Sequence, residues 1–155
     1  MNIAILGFGT VGSGVYDIVE NGDRRMRVTA IFIRPTHPAT MPEMTTNFDA
    51  ILADPNIDVV VEAIGGLHPA YDYILRALQH GKHVVTANKA VVAQHLPEFI
   101  TTAAQHHVRF YFEATTGGGI PWIRNLERAA RIDQIDTIEG IFNGTSNYCL
   151  LYTSP

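Results

Sequence analysis

Three glycines near the amino terminus have the spacing of a phosphate-binding turn. Residues 7–12 read GFGTVG, which fits the pattern G-x-G-x-x-G between a strand-like apolar run and a run with helical spacing. Gly7 permits a tight turn, Gly9 lets a pyrophosphate approach the backbone, and Gly12 lets the helix pack closely on the strand. The helix then presents N–H groups and a partial positive charge to the phosphates. The alternative is a plain glycine turn, but the flanking strand and helix favour a dinucleotide site at Gly7, Phe8, Gly9, Thr10, Val11 and Gly12.

Arg34 indicates which dinucleotide is bound. A domain that prefers NAD usually carries Asp or Glu about 20 residues after the glycine turn, where the carboxylate binds the ribose hydroxyls. Here the second predicted strand ends in IFIR at residues 31–34, without a carboxylate. A guanidinium forms charge-assisted hydrogen bonds with a phosphate, so we expect Arg34 to bind the 2′-phosphate of NADP in preference to NAD. The alternative interpretation is an exposed arginine at a strand end.

Predicted strands and helices alternate along the chain, and they determine where these residues lie. The strands are apolar on both faces, as in parallel sheets, and the helices have apolar residues at helical spacing. Strands are predicted at residues 2–6, 28–33, 57–64, 82–86, 109–112 and 135–141. Helices are predicted at residues 11–19, 48–53, 70–79, 97–107 and 120–131, with an irregular loop at 35–46.

This alternation predicts an α/β fold with a doubly wound parallel sheet, because each crossover helix must return over one face of the sheet. We therefore expect a Rossmann-type dinucleotide-binding domain that is continuous over residues 1–148. The doubly wound sheet binds ligands at the carboxyl ends of its strands.

Composition excludes several classes of partner. The 155 residues are 46% hydrophobic and 17% charged, with a formal net charge of −4, as in a soluble globular domain. No run of Lys or Arg forms a basic stripe, which argues against nucleic acids and anionic membranes as partners. Cys149 is the only cysteine, and the first residues lack the features of a secretion signal. No apolar run approaches the roughly 20 residues of a membrane span, so we expect a cytoplasmic protein.

Four further segments resemble the homoserine dehydrogenase family in sequence, order and spacing. They are VVVEAIGG at residues 59–66, TANKA at 86–90, FEATTGGGIP at 112–121 and GIFNGTSNY at 140–148. The resemblance covers nearly the whole chain and implies a small-molecule reaction. This is the reversible transfer of hydride between NAD(P)H and L-aspartate 4-semialdehyde to give L-homoserine, a step toward threonine, methionine and isoleucine.

The resemblance assigns Lys89 to the nicotinamide end of the site, as a cofactor-binding and catalytic residue. Lys89 follows the fourth predicted strand at the edge where doubly wound sheets bind ligands. Gly65 and Gly66 follow the third predicted strand and would let the backbone approach the cofactor closely. The alternatives are a solvated loop lysine and two glycines that only end a strand.

The glycine-rich segment after Glu113 is a candidate cation site. A carboxylate followed by a bend that directs several carbonyl oxygens to one point suits a hard cation. The resemblance implies a sodium ion held mostly through backbone oxygens of Glu113, Thr116, Gly118 and Ile120. Thr116 departs from the apolar residue often found there, which a backbone ligand tolerates. The alternative is a glycine turn before a helix, without a metal.

The last of the four segments supplies the substrate side of the site by resemblance. Asn143, Gly144 and Thr145 would border the nicotinamide and the substrate, although Asn-Gly is also a strong turn pair. Residues 149–155, CLLYTSP, leave the family pattern and are expected to be a non-native or truncated tail. The family continues into a catalytic and dimerisation domain, so we expect this chain alone to bind cofactor without full activity, and the full-length protein to be a homodimer or larger.

Two other functions remain open at the level of sequence. One is a non-catalytic module that senses NAD(P), and the other is an enzyme that uses S-adenosylmethionine, which also favours a glycine-rich first turn. Arg34 and the segment at residues 143–148 argue against the second of these.

Overall fold

Strand β1 (Asn2–Leu6) lies at the centre of a six-stranded sheet in the computed structural model, which describes residues 1–22 and 25–142. The strand order is β3-β2-β1-β4-β5-β6, and every pair of neighbours is parallel. The other strands are β2 (Arg27–Phe32), β3 (Met44–Thr45), β4 (Val59–Glu62), β5 (His83–Thr86) and β6 (Phe110–Tyr111). The helices are α1 (Thr10–Glu20), α2 (Phe48–Ala53), α3 (Ala70–Gln79), α4 (Lys89–Gln105) and α5 (Trp122–Ala129), and Glu113–Thr115 forms a 3-10 turn.

Alternate residues of β1 belong to two separate hydrophobic clusters. Ala4 and Leu6 pack in one cluster with residues of α3 and α4, among them Phe99. Ile3 and Ile5 pack in the other cluster, which contains Val19 of α1. Because successive side chains of a strand point to opposite faces, the two clusters lie on the two faces of the sheet. The fold is therefore the doubly wound parallel sheet that the sequence predicts.

The segment at residues 135–141 is not a strand, contrary to our prediction. It is irregular, and Ile135, Ile138 and Ile141 are 38%, 47% and 63% exposed. A β-rich segment becomes a strand only where a neighbour pairs with its backbone and covers one of its faces. None of the described strands pairs with this segment, so its isoleucines remain in contact with solvent.

Two other differences from the prediction exceed the shifts of one or two residues seen at several element ends. Helix α4 begins at Lys89, not at Pro97, because the Asn88 side chain caps it by accepting a hydrogen bond from Val91 N at 3.3 Å. Residues 35–46 were expected to be irregular throughout, yet Met44 and Thr45 form β3. The backbone N–H groups of Ile31 and Ile33 donate to Glu43 and Thr45 at 2.8 and 2.9 Å, a pairing that side-chain pattern does not reveal.

None of the helices in the described part of the chain combines the length and the apolar composition that a membrane span requires.

Candidate cofactor-binding site

The glycine turn joins β1 to α1 with very little space around two of its glycines. Gly7 has φ +93°, and a Cβ there would lie 3.0 Å from the carbonyl oxygen of Ala63. A Cβ on Gly12 would lie only 2.0 Å from the carbonyl oxygen of Gly7. Both positions therefore require glycine for the close packing of the helix on the sheet.

Gly9, by contrast, faces open space. A Cβ on Gly9 would meet nothing within 4 Å, and Gly9 is the N-cap residue of α1 without a side-chain capping bond. The first N–H groups of a helix have no partners inside the helix, so Thr10, Val11 and Gly12 present donors and the positive end of the helix dipole at this point. This local structure fits a pyrophosphate, whose anionic oxygens need backbone donors and room to approach.

A cleft of about 560 Å³ connects the glycine turn with Arg34. Three segments line it beside the turn: the end of β2 with the residues that follow, the residues after β4, and the residues around the start of α3. Of the predicted cofactor residues, the cleft is lined by Gly7, Phe8, Gly9, Arg34 and Gly65. Thr10, Val11 and Gly12 lie in the adjoining first turn of α1. The cleft combines the backbone of the glycine turn and the Arg34 side chain with mostly apolar neighbours, a lining that suits a dinucleotide.

Arg34 is exposed and follows directly after the buried Ile33. Among residues 1–22 and 25–142, no carboxylate forms a salt bridge with Arg34. Its guanidinium is therefore available to an anionic ligand in the cleft.

A buried polar network at the ends of β4 and β5 was not singled out by the sequence interpretation. Glu62 is 1% exposed and Thr86 is 2% exposed. Glu62 Oε1 accepts hydrogen bonds from the N–H groups of Ile64 and Gly65 at 2.8 and 3.0 Å. Glu62 Oε2 accepts a hydrogen bond of 2.6 Å from the Thr86 hydroxyl. The sequence signal for this network is a carboxylate at the end of an otherwise apolar buried strand. A buried carboxylate needs hydrogen-bond donors around it, so its presence there indicates a polar network.

The network continues to the start of α4. Thr86 Oγ1 accepts a hydrogen bond from Asn88 N at 3.0 Å, and Asn88 Nδ2 donates to the carbonyl oxygen of Gly66 at 2.6 Å. Gly65 and Gly66 adopt φ values of +78° and +73° in the loop that these bonds hold. The exposed Lys89 follows Asn88 as the first residue of α4. The structure thus places Gly66 and Lys89 at the same edge of the sheet, beside the cleft and not in its lining.

The bend after Glu113 contains two left-handed glycines, Gly117 (φ +74°) and Gly118 (φ +64°). The Glu113 carboxylate accepts hydrogen bonds from Arg124 N at 3.2 and 3.3 Å, so it caps the start of α5. The carbonyl oxygen of Ile120 accepts a hydrogen bond from Trp122 N at 2.7 Å. Within the described part of the chain, no three His, Cys, Asp or Glu side chains converge as metal ligands. A cation in this bend would therefore be held by backbone carbonyl oxygens. Such oxygen ligands suit a hard monovalent ion.

The predicted substrate residues Asn143, Gly144 and Thr145 lie outside the described residues, and so do residues 149–155. Their roles stay predictions.

Two family models match the chain. Residues 7–113 match the NAD-binding domain of homoserine dehydrogenase, and residues 121–154 match a second model, described as homoserine dehydrogenase. The second match extends into the residues that we expected to form a non-native tail.

Whole-chain relatives agree with these matches. The chain is 44% identical to a homoserine dehydrogenase of Synechocystis sp. and 36% identical to one of Lactococcus lactis, with 97% of this chain covered in both cases. These alignments cover 37% and 39% of the relatives, so the chain spans less than two thirds of their length.

A solved homoserine dehydrogenase from Thiobacillus denitrificans superposes with a TM-score of 0.85 at 37% identity, over 97% of this chain and 38% of that structure. The glycine turn, the sheet order and the cleft thus occur together with a family match over most of the chain. The chain belongs to the homoserine dehydrogenase family, and its residues 7–113 match that family's NAD-binding domain.

Proposed function

We propose that this chain is the NADP(H)-binding part of an enzyme that interconverts L-aspartate 4-semialdehyde and L-homoserine. One observation carries the choice of cofactor: Arg34 lines the same cleft as the glycine turn, and no carboxylate of the described residues neutralises it. The family match supports the reaction.

The residues of the chain have distinct tasks in this proposal. The N–H groups at the start of α1 bind the pyrophosphate, and Arg34 pairs with the 2′-phosphate. The loop at Gly65 and Gly66, which Glu62 and Asn88 hold in place, provides a backbone surface for the nicotinamide end. Bound NADPH supplies the hydride that reduces the aldehyde. Lys89 orients the reacting groups from the start of α4, and Asn143, Gly144 and Thr145 bind the substrate.

The longer protein is expected to be cytoplasmic and a homodimer or larger assembly. The last described residues expose apolar side chains: the exposed fractions of Ile120, Ile132 and Ile141 are 54%, 85% and 63%. This apolar surface would be covered by the rest of the longer protein or by a second subunit.

The cofactor assignment is tested by replacing Arg34. Arg34→Ala should weaken NADPH binding by about 1 to 3 kcal/mol, the usual value of a charged hydrogen bond, and barely change NADH binding. Fluorescence titration with each cofactor measures both effects. Arg109→Ala is the matched control, because Arg109 immediately precedes β6 and lies at the opposite edge of the sheet. Equal losses for NADPH and NADH in Arg34→Ala would contradict the assignment.

A further inference from the structure

His37 lies in the lining of the cleft, three positions after Arg34. The N–H of His37 donates to the carbonyl oxygen of Arg34 at 2.9 Å and closes a tight turn between the two residues. This turn brings an imidazole to the part of the cleft where the proposed function puts the 2′-phosphate.

One ring nitrogen of His37 has a fixed role. Nδ1 lies 2.9 Å from the carbonyl oxygen of Pro38. A carbonyl oxygen can only accept a hydrogen bond, so Nδ1 carries a proton in this contact. Neutral imidazole carries one proton, and Nε2 is consequently the nitrogen that gains or loses a proton.

The electrostatic surroundings of His37 favour an anion. The titratable groups among the described residues that line the cleft are Arg34, His37, His68 and Tyr73, and none of these is a carboxylate. His68, from the segment before α3, has its Nδ1 3.5 Å from Asp72 Oδ2. Asp72 therefore faces His68, and the turn that holds Arg34 and His37 contributes no carboxylate to the lining of the cleft.

We propose that His37 is a second, proton-dependent specificity residue for the 2′-phosphate of NADP(H), acting beside the permanent charge of Arg34. The inference rests on the proposed function. Neutral His37 presents the lone pair of Nε2, which repels phosphate oxygens, whereas protonated His37 presents a charged donor. Binding of the 2′-phosphate is then accompanied by uptake of one proton from solvent at Nε2. NADH has no 2′-phosphate and binds without this uptake.

The inference is tested by the pH dependence of binding. The affinities for NADPH and NADH are measured by fluorescence titration at several pH values between about 6.5 and 8.5, above the second pKa of a phosphate monoester near 6. The ratio of NADPH to NADH affinity should rise as the pH falls, by at most about tenfold per unit, the limit for one proton. Calorimetric titration in two buffers of different ionisation enthalpy should show proton uptake with NADPH and less with NADH.

Substitutions distinguish His37 from other titrating groups. His37→Gln places a neutral donor near the position of Nε2, so the affinity ratio should be lower at acidic pH and independent of pH. His37→Lys supplies a fixed charge and should restore a high ratio that does not change over the same range. His68→Gln is the matched control in the same cleft and should keep the pH dependence of the unmodified chain. Melting temperatures measured alongside verify that each variant is folded.

The outcomes separate this inference from the proposed function. NADPH that binds no tighter than NADH at every pH would overturn the proposed function and the inference with it. A preference for NADPH whose pH dependence is the same in His37→Gln, or is lost in His68→Gln, would overturn the role of His37 alone.

Discussion

The hydroxyl of Thr86 donates a hydrogen bond of 2.6 Å to the carboxylate of Glu62, and the two residues are direct neighbours in the β4–β5 pairing. Each residue is the last of its strand. The bond therefore joins the carboxyl ends of β4 and β5, where the chain enters the loops beside the candidate cofactor cleft. The Glu62 side chain also accepts a hydrogen bond from Gly65 N, and the Thr86 side chain accepts one from Asn88 N. The same two side chains therefore fix the first residues of the loops that follow β4 and β5.

Replacing Glu62 should weaken the fold measurably. Glu62→Gln turns one acceptor oxygen into an NH₂ donor, which must face the Thr86 hydroxyl or the N–H groups of Ile64 and Gly65. A buried group left without a partner costs about 1 to 3 kcal/mol, so the free energy of unfolding in urea should fall by that amount. Glu127→Gln, on the exposed face of α5, is the control and should change it by less than about 0.5 kcal/mol. Equal stability of the two variants would show that the network contributes little.

Two glycines of the same helix should respond to alanine in opposite directions. Gly12→Ala adds a methyl group 2.0 Å from the carbonyl oxygen of Gly7, so the backbone of the turn must shift. We expect a loss of about 1 to 3 kcal/mol in unfolding free energy, as for overpacking, together with weaker NADPH binding. A Cβ on Gly14 meets nothing within 4 Å, so Gly14→Ala should gain up to about 1 kcal/mol from helix propensity. Thermal melting and cofactor titration on both variants check this; a stable Gly12→Ala variant with unchanged affinity would contradict it.

The elements predicted well from sequence are those whose own pattern of apolar and polar side chains is enough to specify a strand or a helix. β1 is apolar at every position after Asn2, and α3 has a clear apolar face that ends at Gly81, so both were predicted with the bounds that the structure has. The predicted strand at residues 135–141 failed for the opposite reason. Its isoleucines favour a strand, but a strand also needs a partner, and the sequence of the segment does not contain that information.

The candidate site was predicted in part. The glycine turn and Arg34 could be singled out because a close approach of the backbone restricts one position to glycine and an anionic ligand favours a basic residue at the other. The contact of Thr86 with Glu62 joins residues that are distant in sequence, and it was not visible until the β4–β5 register was known. Asn88 was missed as a helix cap because Pro97, a residue common at helix starts, suggested a later beginning for α4.

The bend at residues 113–120 is expected to hold a monovalent cation through backbone oxygens. Its glycines allow several carbonyl groups to turn toward one point, and the Glu113 side chain is already engaged by Arg124 N. Crystals grown with thallium or rubidium in place of sodium should show anomalous density within the bend. An ordered bend without density, together with a melting temperature that does not depend on the cation, would argue against the site.

The 155-residue chain by itself should bind NADPH and yet oxidise homoserine at no appreciable rate. The glycine turn, Arg34 and Lys89 are present, whereas the residues that position the substrate together with Asn143, Gly144 and Thr145 are expected in the part of the relatives that the chain does not span. Positioning of the reactants contributes roughly 7 to 11 kcal/mol to such reactions. Cofactor titration and homoserine-dependent formation of NADPH are measured on one sample. Turnover at typical enzyme rates would show that these residues suffice.

The central place of β1 has a consequence for synthesis of the protein. β1 is made before the other strands of the described sheet, but Ile3 pairs with Val28 on one side and with Val59 on the other. One edge of this apolar strand therefore stays open until β4 has left the ribosome. At roughly 5 to 20 residues per second, the stretch between β2 and β4 takes on the order of seconds to synthesise. During that time the nascent chain carries an unpaired strand edge, the kind of surface that chaperones bind and that pairs wrongly with other chains. Slow codons that delay the emergence of β4 from the ribosome would prolong this state, whereas slow codons translated after β4 has emerged would not.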